Sequence, residues 1–288
     1  MSPRDSLVST GKYAGFAAIV IAALGVAAYL VGSALVQKSY DLSQQAPLPP
    51  YETSDGYSCN VAVIPLTGQL WTSEADATAQ TNTDSSDNTS AEAVLQQIER
   101  AADDDAIQGV VLRVDSPGGS PVGGEAIANA LKRLDKPSVA VIWDQGDSAA
   151  YFASTGANYI IASPLSDVGD IGVTMSYLDQ SKQNTQQGLT FEKISAGQYK
   201  DVGNPDMALT AAGKAYLQAN IDNNYQVLVG EIAQNRHLAT STVEKLADGA
   251  SLTGQNALGT GLIDALGDST TAQTWLSKKI GQDAMLCE

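Results

Sequence analysis

From Asn60 onward, short apolar runs without polar interruption alternate with stretches whose apolar residues recur every three or four positions. The runs NVAVIPLTGQL, IQGVVLRV and SVAVIW lack the in-out alternation of a half-solvated strand. They predict strands buried on both faces of a parallel sheet. Between the first two, TSAEAVLQQIERAADDD carries Ala91, Val94, Leu95 and Ile98 at helical spacing, with Thr89 and Glu92 placed as a capping box. A glycine-rich turn, DSPGGSPVGG, then leads into a second helix, EAIANALKRLD. The order continues through helical SAAYFASTGA, strand YIIAS, the segment DVGDIGVTMSYL, a polar helix DQSKQNTQQG and strand LTFEKIS, and is mostly helical after Pro205. Alternating strands and helices define an α/β fold. Residues 72–90 contain no large apolar side chain and read as an exposed loop.

Ahead of this pattern, Ala14 to Val36 runs without a charge for about 23 residues, long enough to cross a hydrocarbon core. It predicts one transmembrane helix, with a cleaved signal peptide ending near Gly32-Ser33-Ala34 as the alternative. Arg4 and Lys12 precede the span and only Lys38 closely follows it, which places the N-terminus in the cytoplasm. The expected organisation is a cytoplasmic N-terminus at 1–13, an anchor at 14–36, a spacer at 37–58 and a domain at 59–288. The chain would then be a single-pass membrane protein with its catalytic domain extracytoplasmic.

The formal net charge of -16 excludes a nucleic-acid partner and leaves neutral, apolar or basic ones. Cys59 and Cys287 bracket the domain, and either pair as a disulfide or remain two small buried hydrophobes. Neither has the neighbouring ligands of a metal site, and no metal or cofactor is expected.

The chemistry concentrates in VIWDQGDSAAYFAST, where an apolar strand breaks and a small-residue helix begins at Ser148. A serine nucleophile needs a base, and the chain holds one histidine, His237, inside a helical stretch where a surface role is expected. The order of residues does not fit a chymotrypsin-like triad, and Gly-x-Ser-x-Gly is incomplete at Ala150. Lysine or a carboxylate remains as the base, and a Ser/Lys pair is a known solution to the same problem. Lys132 and Lys136 belong to a helix end, and Lys182, Lys214, Lys245, Lys278 and Lys279 lie in polar helical surroundings. Lys193, within a strand, and Lys200, in the loop SAGQYKDVGNP, remain, and the loop position is preferred. The Ala149 amide at the helix start and the Gly118-Gly119 turn are candidate donors to an oxyanion. The glycines alternatively make only a tight turn.

In this order, VVLRVDSPGGS, GDSAAYFAST, VGDIGVTM, ISAGQYKD and the tail VEKLADGASLTGQNALGTGLIDALG resemble the signal peptide peptidase A family, Ser/Lys proteases of the Clp and crotonase fold group. The likeness runs from about Val61 to Gly267. It implies Clp/crotonase-like repeated β-β-α units with a helical C-terminal part, Ser148 as nucleophile, Lys200 as general base and an oxyanion donor at Gly119 or its neighbour. It also implies an assembly of like subunits in which each dyad is completed across an interface, and a serine endopeptidase acting on signal-peptide remnants or other membrane-derived, mainly apolar peptides. The chain departs from the family pattern in two places. Ala149 and Ala150 replace two glycines, and Asp170 stands where a serine ordinarily bonds the lysine. A carboxylate there favours charged lysine, the wrong direction for a base. A catalytically weak or inactive oligomeric scaffold is therefore the alternative, and an acyl-thioester enzyme of the crotonase type is a third.

Overall fold

The computed structural model describes residues 59–79 and 88–287. One predominantly parallel sheet organises them. Its strands are β1 (Val61–Thr67), β4 (Gly109–Ser116), β5 (Ser138–Asp147), β6 (Tyr159–Ala162), β7 (Asp167–Gly169), β8 (Ser251–Thr253), β9 (Ala265–Leu266) and β10 (Leu286–Cys287). The main order is β10-β1-β4-β5-β6-β9, with β7 joined to the end of β5 and β8 antiparallel to β7. A separate pair, β2 (Leu70–Trp71) and β3 (Thr89–Ser90), is also parallel.

The apolar runs read from the sequence become β1, β4 and β5 because both sheet faces are covered. On one face, Ala62, Ile64, Leu112, Val114, Ala140 and Ile142 pack against helices α2 (Ala91–Asp103), α3 (Pro121–Arg133) and α4 (Ser148–Ser154). On the other, Val61, Val111, Val139 and Ile161 meet Leu276 of α9 (Ser269–Ile280). Between α4 and α9 come α5 (Ser181–Gln186), α6 (Ala211–Arg236), α7 (Thr240–Leu246) and α8 (Gly254–Thr260), while α1 (Glu74–Ala79) precedes α2. Cys59 is bonded to Cys287, and Asn60 adds side-chain bonds to Asp283 and Met285, so the first and last strands close together.

Several expectations change. Ser90, not Thr89, caps α2 by accepting from the Ala93 amide, because the Thr89 hydroxyl is engaged by the backbone of Thr67. Glu92 bonds the Glu74 amide instead of completing a capping box. The expected loop at 72–90 contains α1 and β3, which carry too few apolar residues to show a period. LTFEKIS forms no strand, since no segment among the described residues pairs with it. Lys136 lies beyond the end of α3, and its Nζ donates to the Ala101 and Asp104 carbonyls at the end of α2.

The membrane reading needs correction. No helix among the described residues is long and apolar enough to cross a membrane. The segment 14–36 on which that reading rested, like the spacer at 37–58, lies outside the described residues. A single-pass membrane protein is therefore not supported.

Candidate active site

Ser148 begins α4 where β5 ends, with φ at 51°. A side chain in this left-handed region is held against a steric cost of about 1–3 kcal/mol, so the surroundings must fix it. They do so by close backbone packing. A Cβ on Gly124 of α3 would come 2.4 Å from the Ala149 carbonyl oxygen, and one on Gly156 would come 2.2 Å from the Ala128 oxygen. Glycine thus lets α3 and α4 approach closely, and α4 is buried from Ala149 to Ser154. Tyr151, fully buried, donates from its hydroxyl to the Leu262 carbonyl at 2.8 Å and ties the helix to the C-terminal part.

The glycine turn lies beside this serine. Gly118 has φ at 95°, and a Cβ there would fall 2.8 Å from the Ser148 Cβ and 2.9 Å from the Ala149 nitrogen. The turn is sewn to β2: the Leu70 amide donates to the Gly118 carbonyl and the Ser120 amide to the Leu70 carbonyl, both at 2.8 Å. In such a parallel bridge the amide of Gly119 points away from β2. It has no acceptor among the described residues, whereas the Gly118 amide is taken by the Ser116 hydroxyl at 3.1 Å. Of the two glycines named from the sequence, only Gly119 offers an open donor.

A cavity of about 470 Å³ opens at Ser148, lined also by Asp170, Gly172, Val173, Tyr225, Asp248 and Gly249. Asp170 follows β7 with φ at 43° and lines this cavity together with the serine. Burial pushes its carboxyl above the ordinary carboxylate range. Asp147, immediately before Ser148, is also buried, and its Oδ1 accepts from the Ser251 hydroxyl at 3.0 Å. Burial is the largest cause pushing the Asp147 carboxyl up; the Ser251 bond opposes it, and Asp170 and Asp167 add to it. Asp147 and Ser251 escape a reading of the sequence because they are 104 positions apart and meet only through the pairing of the end of β5 with two short strands.

Neither lysine nor histidine lines the cavity. Lys200 is exposed in a turn closed by its own amide to the Gly197 carbonyl. Lys193, expected in a strand, is paired with Asp201 at 3.5 Å in irregular chain. His237 is exposed and ends α6 in a left-handed C-cap, consistent with a surface role. One chain therefore joins Ser148, the Gly119 turn, Ala149 and Asp170, and does not place Lys200 among them.

The model of peptidase family S49 matches residues 130–283, which include Ser148, Asp170 and Lys200. A Methanocaldococcus jannaschii protein named as a candidate protease, MJ0651, is 37% identical over 171 residues, covering 59% of this chain and 55% of that protein. An Enterococcus faecium protein named as a candidate signal peptide peptidase SppA is 31% identical over 188 residues, covering 64% of this chain and 55% of that protein. The chloroplastic serine protease SPPA of Arabidopsis thaliana is 28% identical over 185 residues, covering 63% of this chain and 27% of that protein. The chain thus spans about half the length of the first two relatives and about a quarter of the third. With more than half of its residues matched by the family model and relatives of this kind, the chain belongs to peptidase family S49, the signal peptide peptidase A family.

Proposed function

We propose that the chain is a serine endopeptidase of Clp/crotonase-like architecture in which Ser148 is the nucleophile and Lys200 of a second copy is the base. The observation that carries this reading is a strained, half-buried serine on the wall of a cavity that holds no lysine or histidine of its own chain, beside an unbonded Gly119 amide. A lysine base must be neutral, and burial is what disfavours its charged form. Lys200 is exposed in one chain, so that burial must come from assembly. The segment around it supports the arrangement, because Leu178, Leu189, Phe191 and Ile194 stand exposed there.

In the acylation step, the Ser148 Oγ bonds to the substrate carbonyl carbon while its proton passes to the Lys200 Nζ. The Gly119 and Ala149 amides donate to the oxygen that gains charge. The C–N bond then breaks, the departing amine takes the proton from Lys200, and water hydrolyses the acyl-enzyme. Val173, Ala247 and Tyr225 line the cavity and favour apolar peptides, including remnants of signal peptides. A second reading, a substrate-holding assembly with weak hydrolysis, draws support from Asp170 in the same cavity.

The test is complementation. Ser148→Ala and Lys200→Ala chains should each be inactive on apolar peptides, and a mixture of the two should regain part of the activity through sites built from both. Equal hydrolysis by wild type and both variants would eliminate the protease reading. An inactive mixture, with wild type active, would place the base elsewhere.

A further inference from the structure

Asp147 occupies the N-cap of α4, where an aspartate side chain ordinarily accepts from the second or third helical amide, here Ala149 or Ala150. It makes no such bond. Its carboxylate is turned to Ser251, and the strand register explains how: Asp147 pairs with Gly169, and Gly169 pairs with Ser251, placing all three in one row across β5, β7 and β8. A carboxylate in the capping position would occupy an amide beside Ser148 and repel negative charge developing there. Diverting it leaves that amide open.

We infer that Ser251 is a positioning residue whose hydroxyl holds the Asp147 carboxylate away from the Ala149 and Ala150 amides, keeping them available to the oxyanion formed when Ser148 attacks. The inference rests on the nucleophile reading above and adds a residue to it. Ser251 touches neither the substrate nor the reacting atoms; it acts through Asp147. Its contribution is therefore to turnover rather than to substrate binding.

Hydrolysis of an apolar fluorogenic peptide is measured for the full chain, with Ser148→Ala as the baseline. Ser251→Ala should lower kcat by about tenfold to a hundredfold with KM little changed, as when an oxyanion donor is lost. Ser251→Thr, which keeps the hydroxyl, should retain activity. The double variant Asp147→Ala/Ser251→Ala should be faster than Ser251→Ala alone, because the carboxylate that would cap the amides is gone. A merely structural role predicts the reverse, a second loss added to the first. The inference is overturned if Ser251→Ala turns over like wild type or if the double variant is no faster than the single one. Hydrolysis unchanged in Ser148→Ala would instead remove the nucleophile reading, and this inference with it. Thermal melts accompany each variant, and if Ser251→Ala loses its transition the same pair is made with Ser251→Val.

Discussion

The sheet core and the segment from Gly172 to Thr210 use apolar residues in opposite ways. In β1, β4 and β5, Ile64, Leu112 and Ile142 are sealed between helices and the neighbouring strands. In the second region, Ile194 is 97% exposed and Leu178 73%, on a stretch that joins no strand. Its local order comes instead from packing on the first half of α6, where Tyr199 stacks on Tyr216 at 4.3 Å and a Cβ on Gly213 would meet the Val202 side chain at 2.9 Å. The second half of α6 belongs to the core, since Leu228, Val229 and Ile232 are buried and Arg236 grips Asp264 at 2.7 Å. One helix thus joins a region complete within the chain to one whose apolar surface stands exposed. The proposed nucleophile lies in the complete region and the proposed base in the other.

Activity tests this division first. Ser148→Ala and Lys200→Ala should each reduce peptide hydrolysis by roughly a thousandfold or more, the scale expected for members of one catalytic unit. If only the serine variant is impaired, the lysine-bearing region has no part in the chemistry. Stability separates the regions next. Leu112→Ala should destabilise by about 2–5 kcal/mol in denaturant unfolding, because it leaves a cavity between covered faces. Ile194→Ala should change the unfolding of the isolated chain by about 0.5 kcal/mol or less, yet reduce both assembly and activity. Light scattering alongside the hydrolysis assay checks that pair. Cutting the bond between Cys59 and Cys287 with Cys287→Ser should cost about 2–4 kcal/mol, as it unties the last strand, β10, from the start of β1 at one edge of the sheet.

The same contrast explains what could be read from the chain. β1, β4 and β5 were legible because burial on both faces imposes an uninterrupted apolar run, and α2 because Val94, Ile98 and Ala101 recur on one face. The strand-to-helix break at Ser148 was legible because an apolar run ends there and small residues follow. LTFEKIS was misread because strand structure is a relation between segments, and its pattern names no partner. β7 and β8 span three residues each, too few to show a period, so the row that joins Asp147 to Ser251 leaves no trace in either segment. Asp170 was flagged from the family pattern, but its place on the wall of the serine's cavity depends on a left-handed backbone that the sequence does not announce.

Asp170 gives the smallest and most directional effect. A carboxylate near the proposed base would stabilise its charged form, so the rising limb of activity against pH should lie higher than for a serine at that position. Asp170→Ser removes this stabilisation, and the limb should move to lower pH by about one unit. At any pH on the limb, the rate should rise by up to about tenfold, since the neutral fraction of the base rises tenfold per unit. Burial works against the effect: by pushing the Asp170 carboxyl upward, it weakens the ionised form that would hold the lysine charged. Asp170→Asn tests charge apart from size and should move the limb in the same direction as the serine variant. A profile that stays in place in both variants would mean that the base titrates without sensing Asp170. Lys200 would then enter the cavity on another side, or not at all.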